Sequence, residues 1–197
     1  MRVIKAEKAI IEEIIEIITN RGIIIYPTET LYGIGVKYDD KELLKDVFRI
    51  KKRPDEKTFP LIIDLKHLEL VTEFIPDTAQ RLIDKYWPGP LTLLLPAKKG
   101  LPEEIVKDKK VAVRMPGKSF ALDLIRKLPF PITATSANIS GLKPAETAEE
   151  AIEYFKYEKI DLIIDAGKLP GIPSTIVDVT ETPPKILRKG SVELSFD

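Results

Sequence analysis

The chain has 197 residues, 44% of them hydrophobic and 31% charged, and its 31 basic and 31 acidic side chains sum to a net charge of zero. That length holds one domain, 1–197, with a substantial core, and the charge balance argues against binding nucleic acid through a broad basic surface. With no cysteine and a single histidine, the chain has no thiolate nucleophile and no Cys-based zinc site, and a histidine triad or multi-histidine metal centre is not expected.

No apolar run reaches the ~20 residues of a membrane span, and the start MRVIKAEKAIIEEI is charged too early for a secretory signal. The expected location is the cytoplasm, with no membrane partner. Two asparagines and one glutamine among many Ile, Lys and Glu point to a heat-adapted source. The lone His67, in Asp64-Leu65-Lys66-His67, reads as a solvated helix residue.

In chain order, Ile10, Ile11, Ile14, Ile15, Ile17 and Ile18 predict a helix over 6–20, with Gly22 just past its end. Ile23 to Tyr26 is a short buried strand. Thr28, Glu29 and Thr30 follow Pro27, and Gly33 and Gly35 allow a turn or a close approach to a ligand. Asp40 caps a helix carrying Leu43, Leu44, Val47, Phe48 and Ile50, which ends at Lys51-Lys52-Arg53-Pro54. Lys51 and Arg53 are read on one side of an extended exit, placed to grip a phosphate.

Phe59 to Ile63 is the next strand. Asp77 caps a helix through Leu82, Ile83 and Tyr86, and Trp87-Pro88-Gly89-Pro90 turns into the strand Leu91 to Leu95. A short helix is expected around Glu103 to Val106. Val111 to Val113 is a strand ending in Arg114, and Ser119 starts the helix through Leu124 and Ile125. Ile132 to Thr135 runs into Ser136-Ala137-Asn138. Thr147 with Glu150 forms a capping box, Ile160 to Ile164 is a buried strand, and a Gly/Pro loop leads to the strand Ser174 to Val179. Lys185 to Arg188 is the last strand. This alternation predicts an α/β fold built on a twisted mixed sheet with flanking helices. Small polar groups at strand ends (Thr28, Thr30, Ser136, Asn138, Ser174, Thr175) and cations at breaks (Lys51, Arg53, Arg114, Arg188) suit a cavity for an anionic ligand larger than one phosphate.

In order, PTETLYGIG, KKRP, WPGPLT, VAVRMP, PITATSANISG, STIVDVT and ILRKG resemble the YrdC-like L-threonylcarbamoyladenylate synthase family, from about residue 8 to residue 192. One such motif is weak, but seven in order are specific. The resemblance implies a large open cavity and a reaction in which L-threonine, bicarbonate and ATP give L-threonylcarbamoyladenylate and pyrophosphate; because both reactants are anions, cations and Mg²⁺ are expected to offset their repulsion. It also implies a tRNA-modifying transferase complex as acceptor of the product, and a weak tRNA contact.

Carried over by residue, Thr28 or Thr30 would hold threonine, Lys51 and Arg53 would contact ATP phosphates, and Arg114 would pair with the threonine carboxylate or a phosphate. Ser136 and Asn138 would bind the nucleotide and the bridging group. Ser174 would face threonine, and Arg188 the nucleotide. Glu29 is the candidate general base. The chain departs from the family at Asp55 to Leu61, where the acidic pair Asp55-Glu56 is expected to alter phosphate contacts. Asp161 to Gly167 is similar to the sister YciO branch, whereas the intact Ser136-Ala137-Asn138 leans toward the synthases. Two other readings compete: an RNA-binding module using the same basic cavity, and a silent relative that senses nucleotide.

Overall fold

The computed structural model describes residues 1–54 and 57–195. Asp55 and Glu56, and with them the expected effect of that acidic pair, lie outside the described residues. The strands are β1 (Arg2–Lys5), β2 (Ile24–Pro27), β3 (Tyr32–Gly35), β4 (Leu61–Ile62), β5 (Leu91–Pro96), β6 (Val106–Lys107), β7 (Lys110–Arg114), β8 (Ile132–Thr133), β9 (Thr135–Ser136), β10 (Leu162–Asp165), β11 (Thr175–Asp178) and β12 (Lys185–Arg188). The α-helices are α1 (Ile11–Thr19), α2 (Lys41–Lys51), α3 (Leu68–Val71), α4 (Asp77–Tyr86), α5 (Phe120–Lys127) and α6 (Ala148–Phe155).

The α/β class holds, with two mixed sheets where one was expected. The first runs β1-β10-β2-β3-β9 and the second β12-β11-β5-β7-β4-β8, with β6 beside β7. The run Ile132 to Ser136 joins them. Ile132 and Thr133 pair with β4 in one sheet, and Thr135 and Ser136 pair with β3 in the other. Between them, the Ala134 amide donates to Pro60 O at 2.8 Å. The segment Ser136–Asn138 therefore leaves from the seam of the two sheets.

Continuous apolar runs mark strands buried on both faces. Ile24 and Tyr26 of β2, with Leu162 and Ile164 of β10, pack against Ile14 and Ile18 of α1 and against α5. The neighbouring Ile23, Ile25 and Ile163 face the other core with Leu44, Val47 and Phe155. At about 25 cal/mol per Å² of apolar area, this double burial dominates the stability of β2 and β10.

Several local expectations change. β1 and a 3₁₀ turn at Ala6–Lys8 precede α1, which begins only at Ile11; the Ile stripe set the period but gave no starting cap. The left-handed residue after α1 is Arg21 (φ 65), not Gly22. Gly22 is required for another reason: a Cβ there would sit 2.4 Å from Ile17 Cγ2 and 2.7 Å from Ile17 O. Pro76 rather than Asp77 occupies the cap position of α4, and Asp77 lies in the first turn, where its charge suits the helix dipole. The stretch expected as a helix at Glu103–Val106 is a turn followed by β6. Asp108 and Lys109, both at positive φ, close the hairpin into β7, the backbone twist such two-residue turns demand. Thr147 does cap α6 through the Glu150 amide, but the Glu150 carboxylate reaches back to Glu146 N, so only half of the box forms.

His67 is not solvated. It is 1% exposed and closes a 3₁₀ turn. Its Nδ1 accepts from the Asp64 amide at 3.1 Å, so Nε2 carries the proton and donates to Leu128 O at 3.0 Å. Its charged sequence neighbours hid the docking of this turn against the end of α5. No helix among the described residues is long and apolar enough to cross a membrane.

Candidate active site

The sheet register builds the floor of the site. Arg188 on β12 pairs with Ile176 on β11, and Ile176 with Thr92 on β5. The β5–β7 register, Leu93 opposite Val113 and Leu94 opposite Ala112, continues that line from Thr92 to Arg114. All four line a cavity of about 540 Å³, within the range of small-molecule sites. Thr28, Thr30, Arg53, Thr135, Ser136 and Ser174 line the same cavity. Three arginines therefore converge on one recess, and among the described residues no carboxylate lines it.

Each cation is held differently. Arg53 donates from Nη2 to Thr58 O at 2.6 Å and from Nε to Lys57 O at 3.2 Å, with its guanidinium 5.0 Å from the Phe59 ring centre. Burial pushes its pKa down to about 10. Arg114, 7% exposed, donates from Nη1 to Thr30 Oγ1 at 3.3 Å, and its Nη2 lies 3.8 Å from Glu29 Oε2. Arg188 grips Ser174 O through Nε and Nη2 at 3.0 and 2.9 Å, and Ser174 Oγ at 3.1 Å. Burial, and then the Arg114 guanidinium, lower its pKa. A guanidinium whose charge is disfavoured by burial and by a like neighbour is poised for an anion.

The hydroxyls are ordered. Thr28 Oγ1 donates to Leu31 O at 2.8 Å, so Thr30 supplies the proton in the 2.9 Å contact between the two threonines. Ser174 Oγ meets Thr92 Oγ1 at 2.9 Å. Thr92 was missed from sequence, where it reads as one more strand residue in WPGPLT; the β5–β7 register sets it in line with Arg114. Glu29, behind Arg114, has two buried carboxylate oxygens with no hydrogen-bond partner, and it does not line the cavity.

Lys51 and Arg53 do not lie side by side on an extended exit. The helix ends in a Schellman turn: the Lys52 amide donates to Arg49 O, the Arg53 amide to Phe48 O, and Lys52 takes φ 48. That left-handed residue sends its neighbours to different places. Arg53 reaches the cavity. Lys51, 1% exposed, turns inward to Ser136 O, to Asn138 O at 2.8 Å and to Asn138 Oδ1 at 3.5 Å. Asn138 is likewise turned into its own loop, donating to Ile139 O and Leu142 O. Neither Lys51 nor Asn138 lines the cavity, whereas Ser136 does.

Residues 16–190 match the Sua5_yciO_yrdC family model, described as telomere recombination. The chain is 42% identical over 177 residues to a threonylcarbamoyl-AMP synthase of Pyrococcus abyssi, covering 87% of this chain and 51% of that protein. It superposes on the crystal structure of P. abyssi Sua5 complexed with L-threonine with a TM-score of 0.86, 38% identity, and coverage of 96% of this chain and 56% of that one. Escherichia coli YciO gives a TM-score of 0.83 at 31% identity, covering 94% of this chain and 91% of that one. The chain thus spans about half the length of the archaeal synthase and nearly all of YciO. With its motifs in order and its cavity in place, it belongs to the Sua5/YciO/YrdC family.

Proposed function

We propose that this chain is an L-threonylcarbamoyladenylate synthase, a nucleotidyltransferase that joins L-threonine, bicarbonate and ATP and releases pyrophosphate. The observation that carries this reading is the convergence of Arg53, Arg114 and Arg188 on one recess lined by no carboxylate among the described residues. A pyrophosphate-releasing reaction between two anions needs that excess of cations. The relatives named as threonylcarbamoyl-AMP synthases support the choice of substrates.

The threonine amine first attacks bicarbonate carbon, water leaves, and a carbamate forms. A carbamate oxygen then attacks the α-phosphorus of ATP, and the α–β bridging oxygen departs with pyrophosphate. Arg114 holds the threonine carboxylate, with Thr30 oriented beside it. The Ser174–Thr92 pair offers hydroxyls to the threonine side chain, and Arg53 and Arg188 neutralise the phosphates. Positioning of the two anions then supplies much of the rate. On this account Mg²⁺ enters with the triphosphate as part of the substrate. In this reading the product passes to a tRNA-modifying transferase complex in the cytoplasm, with at most a weak contact to tRNA.

The reading as an RNA-binding module is weaker, because a neutral chain with a recess of about 540 Å³ fits a nucleotide better than a folded polymer. Pyrophosphate release from ATP, with threonine and bicarbonate omitted in turn, tests the proposal. Release that needs both supports it, and release indifferent to threonine refutes it.

A further inference from the structure

The lysine of the Lys-x-Arg motif sits below the active site rather than in it. Its Nζ has three protons and faces three oxygens: Ser136 O, Asn138 O at 2.8 Å and Asn138 Oδ1 at 3.5 Å. Its own carbonyl accepts from the Ser140 amide at 2.8 Å. Both ends of the residue therefore grip one loop. The Asn138 oxygen that meets Nζ also accepts from Ser136 Oγ at 2.6 Å, and Ser136 lines the cavity. A continuous path runs from the buried ammonium through Asn138 to a hydroxyl at the cavity wall.

We infer that Lys51 is a positioning residue that fixes the Ser136–Asn138 loop from beneath and does not touch the nucleotide. A phosphate could reach Nζ only by displacing two backbone carbonyls; Ser136 O would keep the Asn138 amide, but the buried Asn138 O would lose its donor. Burial, and then the Arg53 guanidinium, push the Lys51 pKa down to about 7. Loss of its third proton near neutrality would leave two donors for three oxygens, so the loop would slacken as pH rises. The catalytic consequence rests on the adenylate-forming reading of the cavity; the structural role does not.

Two variants and one wild-type measurement test this. In Lys51→Met, amide hydrogen exchange over residues 136–142 should rise about tenfold or more, with the rest of the chain unchanged. ATP affinity should move by less than about threefold while kcat falls by about a hundredfold or more, the scale of losing one preorganised group. Because the chain has no cysteine, Lys51→Cys can be aminoethylated at a single thiol while unfolded and then refolded. Restored protection and kcat are expected, together with a pH profile shifted toward lower pH by the more acidic amine.

Unchanged exchange at 136–142 with an ATP affinity about a hundredfold weaker would make Lys51 a phosphate ligand and overturn the inference. If the Met variant does not fold, the wild-type Lys51 ¹⁵Nζ resonance decides: insensitivity to added ATP supports positioning, and a large shift refutes it. Should wild-type protein release no pyrophosphate with threonine, the functional reading falls, and the exchange comparison still judges Lys51 alone.

Discussion

Replacing Arg114 by methionine keeps an apolar chain of similar length and strands the Glu29 carboxylate. Arg114 Nη2 lies 3.8 Å from Glu29 Oε2, with the side chains 8% and 15% exposed. Neither Glu29 oxygen has a hydrogen-bond partner, so this guanidinium is the compensating charge that the geometry supplies. At that separation and an effective dielectric of about 20, the gross attraction is about 4 kcal/mol. Desolvation of both ions offsets part of it while the pair is intact, but removing one partner leaves the other's penalty uncompensated, at a cost of about 3 kcal/mol. Arg114→Met should therefore lower the urea midpoint markedly. Adding Glu29→Gln to the same chain should recover most of the loss, because a neutral amide needs no cation. Both variants should have lost threonine-dependent pyrophosphate release, since Arg114 lines the cavity. Equal midpoints for the single and double variants would show that Glu29 does not depend on Arg114, and the electrostatic account of this corner would be wrong.

Arg53→Ala should cut kcat by about 10²- to 10³-fold, the usual loss when one charge-stabilising group is removed; unchanged steady-state pyrophosphate release would refute its role. Burial lowers the pKa of His67 below 6.5, so as pH falls the unfolded chain takes up the proton first. The stability that neutral His67 contributes is present above pH 6.5 and is lost as pH falls through its folded pKa. Urea titrations of wild type and His67→Gln should therefore converge on acidification, and parallel profiles would count against a buried neutral imidazole. Gly35→Ala would place a Cβ 2.8 Å from Tyr26 Cε1 and 3.1 Å from Ile132 Cδ1, against a ring whose hydroxyl is fixed on Thr133 O at 2.8 Å. It should cost about 1–3 kcal/mol by overpacking, and an unchanged melting midpoint would contradict that packing.

Much of this molecule is legible in its sequence. The Ile stripe of α1, the Asp40 and Ser119 caps and the all-apolar strands are local signals, and the helix period and cap chemistry that produce them act within a few residues. The wall of the cavity was also legible, because Thr28, Thr30, Arg53, Arg114, Ser136, Ser174 and Arg188 are polar residues at strand ends and breaks. What stayed hidden depends on contacts distant in the chain. Thr92 enters the site only because the register sets β5 between β11 and β7. His67 is buried at a contact with Leu128 O, far along the chain. The separation of Lys51 from Arg53 turns on one left-handed residue, Lys52, and lysine carries no signal for that conformation. The division of Ile132 to Ser136 between two sheets leaves no mark in a run of five β-favouring and small residues.

The most direct test follows one atom. Protein incubated with ATP, L-threonine and ¹³C-bicarbonate should yield an adenylate carrying a single ¹³C and one threonine, detected by mass spectrometry. That label should vanish when threonine is omitted. An adenylate without ¹³C, or pyrophosphate released at the same rate without threonine, would contradict the claim that this cavity joins the two anions.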